Sequence, residues 1–194
     1  MNKLTREDLF GLEEYSSKRV DYRAQVMAHK KYRKVHLGDH ITLYFEDRMT
    51  MQYQIQEMLR AERIFEAEGI QEELDTYNPL IPDGSNWKAT MMVEYSDEDE
   101  RKKALARLIG VERMAWVQIG GYEKVFPIAD EDLERETEEK TSAVHFLRFE
   151  LTAEMIAGLN SGADIHMGVD HPNYHCEETV PLATCHSLKN DLSI

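Results

Sequence analysis

The stretch HITLYFEDRMTMQYQIQEMLRAERIFEAEG, His40 to Gly69, decides the fold class. Its opening, HITLYF, is rich in β-branched and aromatic residues and reads as a strand. Asp47 then stands where a helix N-cap belongs, and a helix is expected to run from there to Gly69. Met51, Ile55, Met58, Leu59 and Phe65 recur at helical spacing and give that helix an apolar side. A strand that leads at once into an amphipathic helix places both elements in one packed unit.

Downstream, a short helix is expected over Gln71–Tyr77, stopped by Pro79, followed by the loop NPLIPDGSN with a turn at Asp83–Gly84. Trp87–Tyr95 reads as a strand, and DEDERKKALARLIG as a helix whose acidic start and basic middle suit the helix dipole. ERMAWVQI and YEKVFPI flank Gly120–Gly121 and read as a hairpin. After an acidic loop come the strand AVHFLRFEL, a helix AEMIAGLN capped by Thr152, and a short final strand ADIHMGV. Upstream, Thr5 and Asp8 suggest a helix start. Leu12 to about Lys34, free of Pro and Gly, suggests one long amphipathic helix broken by Gly38.

Strands outnumber short βαβ crossovers, so the expected class is α+β. The expected architecture is a mainly antiparallel sheet of about five or six strands, with helices packed on it and a long N-terminal helix. Residues 1–36 are expected to form a helical arm, and 37–194 a single α+β domain.

The net charge of −14 argues against nucleic acid as a partner. Residues 1–36 hold nine Lys/Arg against five Asp/Glu, or +4, leaving −18 for the remainder. That polarity suits either a solvated helix face or an arm docking on an acidic surface of its own domain, of a second copy or of another protein. No apolar run has the length of a membrane span or a signal peptide. With two cysteines in 194 residues, a cytoplasmic location is expected.

The segments HLGDHITLYFEDRMTMQYQIQEMLRAERIF, YNPLIP, ATMMVEY, AVHFLRFEL and DHPNY resemble a bacterial family known as a domain of unknown function. The resemblance spans most of the chain and is most specific in the glutamine-rich helix and in DHPNY. It implies a stand-alone cytoplasmic protein encoded beside a rubrerythrin-like protein and an iron–sulfur oxidoreductase. It carries over no reaction and no catalytic residues, and it does not extend to HCEETVPLATCH.

Three constellations are candidate sites. On QYQIQEMLRAER, Gln52, Gln56, Arg60 and Arg63 fall on one side, with Glu57 three before Arg60. The planar guanidinium fork and the bifunctional amide suit a small anion or a partner's carboxylate, but they also suit internal salt bridges. On AVHFLRFEL, His145 shares an otherwise apolar face, either as a satisfied core histidine or as a proton-transfer group or ligand. Arg148 projects from the opposite face and joins the candidate ligand-binding set Gln56, Glu57, Arg60, Arg63 and His145. In DHPNYHC, a helical turn opened by Pro172 would put His171 and His175 on one face beside Asp170, a candidate site for a divalent metal ion. Cys176 and Cys185 lack the close spacing of a zinc module, and a disulfide between them needs Cα atoms within about 7 Å.

No phosphate loop, nucleophile elbow or HExxH motif occurs. The first expectation is therefore an accessory or binding protein in a bacterial redox or oxidative-stress system, with a protein partner or second copy engaged through the N-terminal helix. Two alternatives stay open. One is a small metal-dependent enzyme using His171, His175 and His145 or Glu57. The other is a small-anion sensor using Arg60 and Arg63.

Overall fold

The computed structural model describes residues 3–193. At the N-terminus, Thr5 and Asp8 form a capping box, with Thr5 N donating to Asp8 Oδ2 at 2.8 Å. The box closes only a single 3-10 turn, Arg6–Asp8, and Gly11 then opens helix α1, Leu12–Lys30. The helix stops short of Lys34 because Lys34–Leu37 is a strand, β1, paired with β2, Ile41–Phe45. The signal was the alternation of exposed Lys34 and His36 with buried Val35 and Leu37. Gly38, at φ +64°, makes the turn between them.

Asp47 caps helix α2, Arg48–Glu62, as expected, accepting from Thr50 N at 2.9 Å. The helix does not continue to Gly69. Arg63 takes the left-handed conformation and Ile64 N reaches back to Leu59 O at 2.9 Å, a Schellman stop that folds Ile64 onto a small apolar cluster. Helix α3, Ala67–Tyr77, then starts afresh, with Gly69 inside it. A Cβ at Gly69 would come within 2.7 Å of the Ile64 methyl, so this glycine allows a close approach rather than marking a stop.

The expected α+β class holds, with antiparallel pairing throughout and a long N-terminal helix. Among the described residues eight strands divide between two sheets. The larger has the order β1-β2-β3-β6-β5, where β3 is Asn86–Val93, β5 Ile128–Ala129 and β6 Val144–Glu150. The smaller has the order β4-β7-β8, where β4 is Ala115–Ile119, β7 Ile165–His171 and β8 Tyr174–Thr179. One core joins the two sheets to helices α4 (Glu98–Arg107), α5 (Ala153–Asn160) and α6 (Leu182–Lys189). It is filled by Leu43, Phe45, Trp87, Met91, Leu147 and Phe149 from one sheet and Val117, Ile119, Ile165 and Met167 from the other. Because strand side chains alternate, Lys88, Thr90, Phe146 and Arg148 face the opposite way, towards α2 and α3.

Two expectations fail in the second half. The hairpin after Gly120–Gly121 closes, with Tyr122 N bonded to Ile119 O, but its second arm pairs only at Val125. The chain then crosses to the larger sheet, where Ile128–Ala129 pairs with β6. The ADIHMGV strand is not the last: Pro172–Asn173 is a tight turn into β8, and α6 follows.

Candidate functional site

The polar side of α2 holds the N-terminal segment. Gln56, fully buried, accepts from Phe10 N at 2.6 Å and donates to Phe10 O at 3.3 Å, pairing like a strand with that peptide unit. Gln52 donates to Asp8 O at 2.6 Å. Glu57 accepts from Tyr15 Oη at 2.6 Å and takes both nitrogens of the Arg19 fork at 2.7 Å. Those bonds, Arg19's first, hold the Glu57 carboxyl down to about 2 against the cost of its partial burial. Basic residues at and just beyond the C-terminal end of α1 engage the rest of the chain as well. Arg33, buried, donates to Asp191 at 2.5 Å and to the carbonyls of Phe45 and Glu46. His29 Nε2 lies 2.5 Å from Asp47 Oδ2. Arg19, His29 and Arg33 thus meet the carboxylates of Glu57, Asp47 and Asp191 within the same chain. Arg60 and Arg63 lie exposed beyond the part of α2 that α1 covers.

His145 is completely buried and has a partner at each ring nitrogen. Nδ1 is 2.6 Å from Asp130 Oδ2, and Nε2 is 2.9 Å from Thr141 Oγ1 and 3.1 Å from Ser142 O. Asp130, at φ +51°, also accepts from Phe146 N at 2.9 Å and from Arg135 at 3.3 Å. Its carboxylate therefore pins the acidic loop to β6, which accounts for the strained backbone there.

The DHPNY element is a joint. Pro172 opens a hairpin turn rather than a helical one, so Asp170 stands opposite His175, and His171 opposite Tyr174. His171 and His175 point to opposite faces, one buried and the other exposed. His171 Nδ1 accepts from Asn173 N at 3.1 Å, leaving Nε2 to donate to Ile109 O at 3.1 Å. Asp170 holds Lys124 at 2.8 Å, over the Trp116 ring, and that contact lowers the carboxyl's pKa. Tyr174 Oη donates to Leu37 O and accepts from His40 N. Among the described residues no group of three His, Cys, Asp or Glu is placed to hold a metal ion. Both thiols are free, and burial raises the pKa of each.

Of the expected set, Arg148 lines a substantial cleft. The cleft encloses about 560 Å³ between the outer face of the larger sheet, the end of α3 and the acidic loop. That volume is within the range of small-molecule sites. Lys88 and Arg148 stand directly opposite one another in the β3–β6 register on its floor. Glu131 clamps Arg148 through both guanidinium nitrogens, at 2.8 and 2.7 Å, and Glu150 also touches it. Lys88 donates to Pro79 O, and no salt bridge among the described residues reaches it; desolvation lowers its pKa. Phe146, under the Arg135 guanidinium, forms an apolar patch with Leu80 and Tyr77. Lys88 escaped the sequence reading because only the register reveals its cross-strand partner. The alternation along WKATMMV was the one available signal.

A search of the curated proteins finds no match. Among solved structures, the chain is similar to a crystal structure from Burkholderia pseudomallei, titled a novel protein of unknown function, at 1.90 Å resolution. The two share 50% identity with a TM-score of 0.94, over 99% of this chain and 100% of that one. A family model described as "Protein of unknown function (DUF3501)" matches residues 3–192, and the chain belongs to that family.

Proposed function

We propose that this protein is a binding protein for a small organic acid, held in the cleft between α3 and the outer face of the larger sheet. The observation that carries the reading is the Lys88–Arg148 pair. Like charges directly opposite on neighbouring strands destabilise a sheet, and partial burial of Lys88 adds to that cost. Arg148 is offset by Glu131 and Glu150 in direct ion pairs, but Lys88 has no direct ion pair among the described residues, and Asp83 and Glu131 offset its charge only from farther away. A ligand carboxylate at Lys88 supplies the direct ion-pair partner it lacks, while the aromatic and aliphatic patch takes its apolar body.

An accessory role in a redox or oxidative-stress system fits this reading as a ligand-responsive one, since burial keeps both thiols in their less reactive protonated form. Isothermal titration with a panel of mono- and dicarboxylic acids tests the proposal. A saturable response that Lys88→Gln abolishes supports it. No response to any acid, or an unchanged response in Lys88→Gln, overturns it.

A further inference from the structure

We infer that the acid is a zwitterion, an α-amino acid with an apolar side chain, rather than a simple carboxylate; this rests on the acid-binding reading. The wall facing Lys88 is the C-terminal end of α3, and it is negative in two ways. Asp75 lines the cleft there, and among the described residues its carboxylate accepts a side-chain hydrogen bond only from the neutral amide of Gln71, one turn back in the same helix, at 2.8 Å. The last turn of α3 carries no basic residue, although a helix C-terminus favours a cation. One cleft is therefore lined by both an ammonium and a carboxylate that lack a direct ion pair among the described residues, and the Pro79 carbonyl accepts from Lys88.

An α-amino acid carries the complementary pair on one carbon atom. Its carboxylate replaces the missing partner of Lys88, and its ammonium complements Asp75 and the terminal carbonyls of α3. The side chain then lies along Tyr77, Leu80 and Phe146. The other charges of the cleft already satisfy one another. Arg135 is clamped by Asp132 at 2.5 and 2.6 Å, and Arg148 by Glu131. Lys88 and Asp75 are thus the groups that select the ligand.

The test titrates the full chain with phenylalanine, with 3-phenylpropionate, which lacks the amine, and with phenethylamine, which lacks the acid. Phenylalanine is expected to bind about tenfold more tightly than either half-molecule, the worth of one charge-assisted hydrogen bond. Asp75→Asn should reduce phenylalanine to the level of 3-phenylpropionate, and Lys88→Gln should weaken both acids while keeping a donor for Pro79 O. Melting temperatures of the unliganded variants verify that they fold. If 3-phenylpropionate binds as tightly as phenylalanine, or Asp75→Asn leaves the preference intact, the zwitterion inference falls and acid binding stands. If neither acid binds, both fall.

Discussion

Tyr174 Oη lies 2.5 Å from Leu37 O, so a side chain from the smaller sheet closes the turn between the first two strands of the larger one. The same hydroxyl accepts from His40 N at 3.0 Å. The hydroxyl is a polar link between the edges of the two sheets, and it explains the need for glycine at 38: a Cβ there would lie 2.7 Å from the hydroxyl. Tyr174→Phe leaves one carbonyl and one amide without this partner. It should cost about 1–2 kcal/mol in urea unfolding. A change below the experimental error would show that water replaces the hydroxyl there.

Glu57 carries the docking of α1. Its folded pKa, about 2, is below the ordinary carboxyl value of 4.5. A depressed carboxyl contributes stability that is present above the unfolded value and is lost as pH falls towards 2. Glu57→Gln should therefore destabilise the protein by about 1–2 kcal/mol at neutral pH, after discount for solvent screening, and by progressively less below pH 4.5. Hydrogen exchange should show the loss concentrated in α1. Uniform loss of protection would mean that α1 and the rest of the chain unfold as one.

Asp191 behaves oppositely. Burial outweighs its contact with Arg33 and pushes its carboxyl up to about 6. A raised carboxyl contributes stability fully present below the unfolded value of 3.8, and loses it as pH rises through about 6. Wild type should therefore gain stability relative to Asp191→Asn between pH 7 and pH 4. Arg33→Met, which strands Asp191 and Asp47 together, should cost about 3–5 kcal/mol at neutral pH. Parallel unfolding curves for wild type and Asp191→Asn across this range would refute the assignment.

Lys88 should trade stability for binding. Without ligand, Lys88→Gln removes a like charge opposite Arg148 and should stabilise the fold by about 0.5 kcal/mol at neutral pH. The lysine's folded pKa is depressed, so its protonated form is disfavoured in the fold. The penalty is fully present below that lowered value and fades as pH rises towards the ordinary 10.5, so the gain from Lys88→Gln should shrink in alkali. Thermal unfolding at neutral and alkaline pH measures both effects. A Lys88→Gln protein less stable than wild type at neutral pH would indicate a lysine already neutralised within the fold.

What could be read locally was read correctly where one segment's own chemistry decides it. Asp47 and Thr152 each cap a helix through a side-chain oxygen on a backbone amide three residues on. Trp87–Val93 and Val144–Glu150 are strands because their residues suit a pleated, partly buried surface. Gly69 and Pro172 misled for a shared reason. Each residue permits several conformations, and a distant neighbour chose among them: Ile64 packing on the α3 backbone, and β8 pairing with β7.

The sequence by itself determined the α+β class, the antiparallel pairing and the helix that carries Gln56 and Glu57, since these follow from periodicity and capping within short windows. Only the tertiary structure decided what those polar groups touch. Gln56 meets Phe10, 46 residues away, and Arg33 meets Asp191 across 158. The division into two sheets and the placing of Lys88 opposite Arg148 depend likewise on strand register. Register is set by the burial of whole strand faces against a shared core, a free energy that no single segment contains.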